Sequence, residues 1–527
     1  MDPNKTTQVK FNQEATDSLM AGVYEVCEAT ATTLGARGRN VAIDTPWGVP
    51  AIIHDGVRVA SSINPKEPFK KQGAKIIQEA ARKQRDEVGD GTTAVLVLAQ
   101  AILKECLKVT ASGVNAMSLR EGLESGAKKV VEALEKLSSP ISGIEQMRQI
   151  ATISAQNEEL GTLIANTLEK VGKEGIVTVD GSKLSETMVE IQEGMQLDKG
   201  YANPYMITDI ERRLAVLDDA YILVTDHPLA SVAEISKFLE TKVVPNTKKV
   251  LFISPEIGGD FENSLIVSKM QGTFLGLAVR APGVALHQRE ILLDICALTG
   301  ATFISKEGGF DDLEFSVLGR VQKVVAGKIS TIITGGQGHR KDVLQRIQAI
   351  KTQMEDADIS EFDHEQLKER LGKLTNGIAV IKVGGITEVE MTERKERAID
   401  AVAATQAAVK HGIIVGGEIA YLNCLSVLDE KVLGEKILKE AMKEPFRRLV
   451  SNAGYDAGEK LAEYNAYLAK DTGFDVTDGK FKNMVKSGII DPVSVPVCAI
   501  KTAVSVSTQL SSLGASVVNE NEEKKVS

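Results

Sequence analysis

The spacing of hydrophobic residues divides this chain into three regions. Up to residue 137, apolar side chains recur at helical spacing in 14–34 and 119–137, and 94–107 is an apolar run of the length expected for a buried helix. Two short segments, 41–44 and 51–54, flank a Pro-Trp-Gly turn sequence and predict a β-hairpin. The first region is therefore expected to be mostly helical, with one hairpin.

The middle region, from about residue 180 to 373, has a different pattern. Short apolar runs alternate there with helical stretches: the runs are 221–224, 250–253 and 275–279, and the helical stretches lie near 232–242, 261–270 and 291–298. Buried strands that alternate with helices predict a mainly parallel sheet in a separate α/β unit. Charged helical sequence at 341–374 ends this region and predicts an antiparallel helix pair.

The last region is helical again. A helix is predicted over Glu388 to His411, and a second one opens at Gly416-Gly417-Glu418. Residues 519–527 form a charged tail that we expect to be disordered. Helical sequence thus lies on both sides of the α/β segment.

Composition argues against a nucleic-acid-binding, disulfide-rich or zinc-binding protein. Hydrophobic residues make up 43 % and charged residues 25 % of the chain, as in an ordinary folded protein. The net charge of −10 argues against a nucleic-acid partner, because phosphate binding needs clustered Lys and Arg. Five widely spaced cysteines without a C-x-x-C pair indicate neither a disulfide framework nor a zinc site.

Neither end of the chain has the pattern of a targeting or membrane segment. The stretch from Met1 to Glu14 is polar, and the apolar stretch from Val493 to Val518 is interrupted by Pro496 and Lys501. We therefore expect a soluble, cytoplasmic protein without a membrane partner.

The sequence Gly89-Asp90-Gly91-Thr92-Thr93 carries the first candidate chemistry. It places a carboxylate and two hydroxyls between glycines directly before the apolar helix, where free backbone N–H groups suit a phosphate. A carboxylate tolerates phosphate only with a cation between them, so the motif fits a Mg²⁺-nucleotide site with Asp90 as the metal ligand. A plain helix cap is the competing interpretation.

Other Gly- and Asp-rich elements lie far away in the chain, at Asp55-Gly56, at Gly416-Gly417 and at Asp491-Pro492. If they serve one site with Asp90, the N- and C-terminal regions fold together and the α/β segment projects as a mobile head. Each element has a simpler interpretation as a turn or a helix start.

Taken in order, these elements closely resemble a known family, the GroEL-type (group I) chaperonins, over nearly the whole chain. The resemblance rests on Thr33-Leu34-Gly35-Ala36-Arg37-Gly38-Arg39-Asn40, Asp55-Gly56-Val57, Gly89 to Thr93, Ile153-Ser154-Ala155, Gly172-Lys173-Glu174-Gly175, Glu193-Gly194-Met195-Gln196, Arg280-Ala281-Pro282-Gly283, Ala379 to Gly384 with Thr387-Glu388-Val389-Glu390, and Gly488-Ile489-Ile490-Asp491-Pro492.

The resemblance implies a multidomain α+β and α/β fold. The expected domains are a mostly helical, discontinuous equatorial ATPase domain, a small hinged intermediate domain and an α/β apical domain that binds polypeptide. Their predicted bounds are 1–137 and 412–518 for the equatorial domain, 138–193 and 377–411 for the intermediate domain, and 194–376 for the apical domain.

The resemblance also implies residue roles. Asp400 is expected to position or activate the attacking water, with Asp55 assisting, and Asp90 is expected to bind Mg²⁺. The expected nucleotide contacts are Thr33, Leu34, Gly35, Gly91, Thr92, Thr93, Gly417, Asp475, Ile489 and Asp491. The expected polypeptide contacts are Tyr201, Tyr205, Met206, Leu239, Ile266 and Val267, and the expected hinges are Pro140, Gly194 and Gly377.

Several positions depart from the family pattern. His54 stands where a Lys is usual, and Glu418 stands where a third Gly is usual. Ala36, Ala94, Asp475 and Lys410-His411 differ within the nucleotide signatures, and Ser236 and Glu262 are polar where apolar residues are usual. The charged tail differs as well. These differences indicate a divergent member, such as a specialised paralogue or a virus-encoded form.

The leading hypothesis is an ATP-dependent chaperonin that binds non-native polypeptides and promotes their folding as a homo-oligomer, a heptameric ring that is single or double. ATP and Mg²⁺ are the expected cofactors, and the use of K⁺ and of a co-chaperonin stays open. A ring-forming scaffold with little ATP turnover is the alternative, because of Glu418. A small-molecule kinase is the weakest hypothesis, since no second substrate pocket is indicated.

Overall fold

The computed structural model contains two compact units, one of residues Met1–Asn166 with Glu388–Ser527 (unit 1) and one of residues Thr167–Thr387 (unit 2). The residues it describes are 7–44, 50–172, 175–182, 185–192, 194–210, 212–283, 285–354, 361–375, 378–466 and 470–519. The predicted intermediate domain, 138–193 with 377–411, stays a prediction, and its residues fall in both units.

Helices and strands cover most of the described residues. The helices are α1 (Asn12–Ala31), α2 (Gly56–Ser62), α3 (Pro68–Val88), α4 (Thr92–Ala111), α5 (Ala116–Leu137), α6 (Gly143–Ala155), α7 (Glu158–Val171), α8 (Ser236–Phe238, continued by a π-turn at Leu239–Val243), α9 (Gly259–Met270), α10 (Ala285–Thr299), α11 (Arg340–Met354), α12 (Glu361–Thr375), α13 (Glu388–His411), α14 (Ile419–Asn423), α15 (Leu433–Ala441), α16 (Glu444–Asn452), α17 (Ala457–Tyr464) and α18 (Ser494–Ser511). The strands are β1 (Thr7–Phe11), β2 (Val41–Ile43), β3 (Ala51–Ile53), β4 (Ile176–Gly181), β5 (Met188–Gln192), β6 (Gly194–Leu197), β7 (Ala215–Val224), β8 (Lys249–Ser254), β9 (Leu275–Arg280), β10 (Gly319–Ala326), β11 (Thr331–Gly336), β12 (Ile378–Val383), β13 (Ile413–Val415), β14 (Thr472–Asp475), β15 (Lys480–Asn483), β16 (Ile490–Pro492) and β17 (Ala515–Asn519).

Unit 1 is built around α4. This helix is apolar on most of its circumference, and its central residues, Val95 to Ala99, are buried because neighbours cover several of its sides. It packs against α1 and α3 from the N-terminal region and against α18 from the other end of the chain. The prediction that the two ends of the chain fold together is therefore confirmed for these helices, and so is the β2–β3 hairpin.

The two ends of the described chain also pair directly. Strands β1 and β17 form an antiparallel ladder from Thr7 opposite Asn519 to Phe11 opposite Ala515, and the N–H of Asn12 donates to the carbonyl of Gly514 at 2.8 Å. The sequence did not predict this pairing. Of the predicted disordered tail, Asn519 ends a strand, and the rest lies outside the described residues.

Unit 2 contains a six-stranded sheet in the order β6-β11-β10-β7-β8-β9. The three predicted apolar runs are β7, β8 and β9, which are parallel to one another. The prediction of a mainly parallel sheet is wrong for the other half, because β10 is antiparallel to β7 and to β11, and β11 is antiparallel to β6. A second, three-stranded sheet has the order β4-β12-β5.

A buried ion network joins α10, α11 and α12 in unit 2. Asp294 is 1 % exposed and accepts from Nε of Arg370 at 2.8 Å and from Nε of Arg346 at 2.7 Å. Arg370 is itself only 6 % exposed, so its charge is neutralised inside the protein and not by water. The predicted helix pair, α11 and α12, is thereby tied to α10.

We expect Arg370→Met to destabilise unit 2 by about 3 kcal/mol, because it leaves the buried Asp294 carboxylate with one partner fewer. Resistance of α11 and α12 to limited proteolysis, followed with temperature, measures this effect. Arg320→Met is the matched control, since Arg320 pairs with Asp219 at the surface and should matter little. Equal effects of the two variants would contradict the expected importance of the network.

The cysteines and the helix lengths can be stated for the described residues. All five cysteines are buried and free. Among the described residues, no helix is both long enough and apolar enough to cross a membrane.

Candidate functional site

The turn between α3 and α4 has an unusual backbone. Gly89 ends α3 and Gly91 precedes α4, with φ of 78° and 75°, so Asp90 lies between two residues in the left-handed region that favours glycine. Oδ1 of Asp90 accepts from the N–H of Gly91 at 2.6 Å. No side chain in the described part of the chain caps α4, so the N–H groups of its first turn are available to an anion.

The start of α2 lies against the start of α4. A side chain at Gly56 would collide with the hydroxyl of Thr93 and lie 3.2 Å from that of Thr92, so this glycine permits the close approach. The Thr33 hydroxyl lies 3.3 Å from that of Thr93. The structure therefore brings together Thr33, Thr92, Thr93 and the Asp55-Gly56 turn.

Asp55 also has a structural task. Its two carboxylate oxygens accept from the backbone N–H groups of Val57 at 3.1 Å and Arg58 at 3.0 Å, so it is the N-cap of α2. These bonds fix the orientation of the carboxylate beside the hydroxyls of α4.

Residues from the C-terminal region form another side of the site. Strands β13 and β16 pair with Ile414 opposite Asp491, and the N–H of Gly416 donates to the carbonyl of Ile489 at 3.0 Å. A side chain at Gly416 would lie 3.2 Å from both carboxylate oxygens of Asp491. Gly416 therefore keeps the space in front of Asp491 open, whereas Gly417, with φ of 66°, lies against Met484.

Electrostatics connect these two ends of the chain. Burial, and then the charge of Asp90, raise the pKa of Asp491 to about 7. Burial, and then the charges of Asp491 and Asp90, raise the pKa of Glu418 to about 8. Burial also raises the pKa of Asp90. The three carboxyls thus lie within electrostatic range of one another around a poorly hydrated space, an arrangement that favours a bound cation.

We expect Glu418→Gln to stabilise the nucleotide-free protein at pH 8.5 by several kcal/mol, at most about 5 kcal/mol, and to have little effect at pH 4.5. The pKa of Glu418 is about 8 in the folded protein and about 4.3 in an unfolded chain, so wild-type stability falls as the pH rises through this window. Thermal unfolding at both pH values measures the difference.

Glu430→Gln is the control for this prediction, because Glu430 is exposed and Lys439, through its hydrogen bond and charge, lowers the pKa of that carboxyl. A Glu418→Gln effect of the same size at both pH values would contradict the assigned titration.

Asp400 lies on α13 between Arg397 and Ala403, two residues with neighbours in the Asp55 and Asp90 turns. One turn before it, the positive charge of Arg397 acts on His54, the neighbour of Asp55. One turn after it, Ala403 lies against Gly89, since a side chain at Gly89 would collide with the Ala403 methyl group. Residues three apart share a helix face, so we expect Asp400 on the side of α13 that carries Ala403, and its approach to the Asp55 and Asp90 turns stays a prediction.

His54 differs electrostatically from a lysine at the same place. Burial, and then the nearby charge of Arg397, lower the pKa of His54 against the opposing effect of Asp55. Its Nδ1 lies 3.2 Å from Oδ1 of Asn40. Arg397 on α13, whose Nη2 donates to Glu393 at 2.6 Å, therefore supplies a fixed positive charge near His54. Sequence reasoning missed this charge because Arg397 and His54 are far apart in the chain.

Three predicted nucleotide contacts are engaged in packing. Leu34 is 8 % exposed, and Gly35, with φ of 86°, has no room for a side chain beside Leu449. Asp475 forms an ion pair with Lys482 and accepts from the hydroxyl of Thr477 at 2.6 Å. Burial alone would raise the pKa of Asp475, but these partners lower it. Its contact with a nucleotide stays a prediction.

The donor set suits a magnesium ion that arrives with a nucleotide. In the described parts of the chain, His, Cys, Asp and Glu form no group of three that could hold a metal alone. Mg²⁺ is commonly held by one or two carboxylates together with phosphate oxygens and water. Asp90, in a turn with phosphate-sized access to backbone N–H groups, fits that requirement.

The predicted polypeptide surface lies in unit 2 and is only partly exposed. Tyr205 is 68 % and Val267 is 50 % exposed, whereas Tyr201, Leu239 and Ile266 are half-buried. Met206 is 2 % exposed, and its Sδ accepts from the N–H of Ala278, so it lies beneath the surface. Nζ of Lys269 on α9 donates to the carbonyl of Tyr205 at 2.8 Å and so fixes that segment to α9.

The predicted hinges have different surroundings. Pro140 is exposed and follows Ser139, which exchanges two backbone hydrogen bonds with Ile413. Gly194 is buried in β6, where a side chain would collide with Ile378. Gly377 lies outside the described residues. The hinge roles stay predictions.

Comparisons with known proteins identify the family and the fold. Residues 26–513 match the TCP-1/cpn60 chaperonin family. The fold is similar to two crystal structures of the chaperonin gp146 from the bacteriophage EL 2 (Pseudomonas aeruginosa) in the presence of ATP-BeFx. Crystal form II gives a TM-score of 0.66 at 19 % identity, and crystal form I gives 0.63 at 18 %; each match covers 97 % of this chain and 99 % of the phage chain. The fold class inferred from sequence is confirmed, and the chain belongs to the TCP-1/cpn60 chaperonin family.

Proposed function

We propose that this protein is the subunit of an ATP-driven chaperonin that hydrolyses Mg²⁺-ATP in unit 1 and uses the reaction to bind and release non-native polypeptides through unit 2. The observation that supports the proposal is the approach of three elements in unit 1: the Gly56 turn lies against Thr92 and Thr93, and Ala403 of α13 lies against Gly89. Phosphoryl transfer to water needs these elements: charge neutralisation, an anion cradle and an oriented nucleophile.

Each part of the site has its own task in this proposal. The N–H groups at the start of α4 and the hydroxyls of Thr92 and Thr93 hold phosphate oxygens, and Asp90 holds Mg²⁺, which supplies charge neutralisation when bound. Asp491, behind the open space left by Gly416, accepts from a ribose hydroxyl. Asp400 orients the attacking water and takes its proton, and Asp55 supports that orientation.

The chemistry depends on α13. In this proposal Asp400 reaches the site only while Ala403 packs on Gly89. A shift of α13 away from these contacts would remove the carboxylate without disturbing the phosphate cradle. We propose that this shift is how hydrolysis is timed, since binding and catalysis then use separate elements of unit 1.

Polypeptide binding is assigned to the exposed apolar residues of α9 and of the Tyr205 segment, which Lys269 fixes to α9. Tyr205, Val267 and Met270 are exposed, and apolar side chains of this kind bind the hydrophobic segments of unfolded chains. We further propose a homo-oligomeric ring of seven subunits in the cytoplasm, without nucleic acid or membrane as a partner.

Two measurements on the purified full-length protein test the proposal. Phosphate release in the presence of Mg²⁺-ATP, above a no-enzyme background, is the expected catalytic result. Electron micrographs with and without ATP are expected to show closed rings whose shape changes with nucleotide. Rings without phosphate release would favour the scaffold alternative, and a monomer that phosphorylates a metabolite would favour a kinase.

A further inference from the structure

Gln84 occupies a special place in α3. It is 0 % exposed, lies one turn before the end of the helix, and is surrounded by both halves of the candidate site. Its Nε2 donates to the carbonyl of Asp90 at 2.9 Å and to the carbonyl of Val495 at 3.1 Å. The first carbonyl belongs to the phosphate-binding turn, and the second belongs to the first turn of α18.

The two carbonyls come from opposite ends of the chain. Val495 is 411 residues away from Gln84 in sequence and follows β16, the strand that carries Asp491. A single carboxamide therefore sets the spacing between the Asp90 turn and the segment of Asp491. In a carboxamide only the NH₂ group can donate, so the two carbonyl partners fix which way the Gln84 amide is oriented.

The surroundings leave Gln84 no second arrangement. A side chain at Gly91 would lie 2.6 Å from Cγ1 of Val495 and 3.0 Å from Nε2 of Gln84, so turn, amide and α18 are in close contact. Its Oε1 is buried and has no hydrogen-bond partner among the described residues. A buried acceptor is costly to leave unpaired, so stability alone does not explain a glutamine here.

We propose that Gln84 is a positioning residue that holds the Asp90 turn in register with the Asp491 segment, so that one Mg²⁺-nucleotide can contact both. The inference rests on the proposed nucleotide site and adds a determinant of its geometry. Gln84 touches neither the metal nor the phosphates, and it acts through the backbone of Asp90.

Gln84→Met tests the inference, since methionine has a similar volume and cannot donate. The affinity of the full-length protein for a non-hydrolysable ATP analogue is measured by calorimetry with Mg²⁺ and, separately, with EDTA. We expect affinity with Mg²⁺ to fall about tenfold, as is usual when a group that orients a metal ligand is removed, and affinity in EDTA to change much less.

Gln78→Met is the matched control. Gln78 lies on the same helix, is 5 % exposed, and donates through Nε2 to two backbone carbonyls, those of Ala60 at 2.7 Å and Ile63 at 2.8 Å. These carbonyls lie at the end of α2 opposite Asp55. Gln78→Met should lower the thermal midpoint about as much as Gln84→Met does, with nucleotide affinity unchanged.

The outcomes separate the two levels of inference. Equal losses of Mg²⁺-dependent affinity in both variants, or none in Gln84→Met, would overturn the positioning role. Gln84→Asn provides a milder variant if the methionine protein does not fold, because it keeps the donor but is one methylene shorter. Absence of nucleotide binding by the wild type would overturn the proposed function itself.

Discussion

Replacing Asp400 with alanine is expected to lower the rate of ATP hydrolysis by about 10²–10⁴-fold, the usual contribution of a positioned general base, while Mg²⁺-ATP still binds. The reason is the separation of tasks in the proposed function: the phosphates are assigned to the α3–α4 turn, whereas the attacking water is assigned to Asp400 on α13. Single-turnover phosphate release measures the chemical step, and calorimetry measures binding.

Glu388→Ala is the control for the Asp400 substitution. Glu388 is an exposed carboxylate in the first turn of the same helix, three turns away from the site, so its loss should leave the rate of hydrolysis nearly unchanged. If Asp400→Ala hydrolysed ATP at the wild-type rate, the catalytic assignment and the proposed timing by α13 would both be wrong.

Replacing Asp90 is expected to impair nucleotide binding, the step that the Asp400 substitution leaves intact. Asp90→Asn should weaken Mg²⁺-ATP binding at least about 100-fold, since the variant loses the metal's charged ligand. It should also make the nucleotide-free protein more stable, because burial raises the pKa of Asp90 and the carboxylate therefore costs folding energy when it is charged. Calorimetry and thermal unfolding at pH 8 test both expectations.

The stability measurement is what makes the Asp90 experiment specific. A variant that simply misfolds would lose both binding and stability. Replacing a buried carboxylate that binds a ligand should weaken binding and increase stability. Asp86→Asn provides the control, because Asp86 is a more exposed carboxylate on α3, the helix before the Asp90 turn, and is paired with Arg85. Unchanged affinity in Asp90→Asn would refute the metal role.

Local signals in the sequence predicted the site best. The glycines around Asp90 predicted a backbone open to a ligand directly before a helix, and α4 does begin at Thr92, with positive φ at both glycines. The run at 221–224 predicted a buried parallel strand, as β7 proved to be. In each case the determining interaction lies within a few residues, so a single sequence contains it.

The remaining features depend on partners far away in the chain. In strand β10, buried positions are separated by partly or fully exposed ones, so a search for continuous apolar runs missed it. Gln84 resembles any glutamine in a charged helix, and only the fold shows that one of its acceptors lies 411 residues away. Whether Asp475 meets a nucleotide or Lys482 likewise cannot be read from composition or spacing.

The packing of α4 against α18 has a consequence for synthesis on the ribosome. Unit 2 is continuous, so its sheet can form as soon as its own residues have emerged. The apolar surface of α4, by contrast, waits for a helix translated roughly 400 residues later, on the order of 20–80 s at common elongation rates. A nascent chain of this protein therefore exposes an apolar helix surface until α18 has been translated.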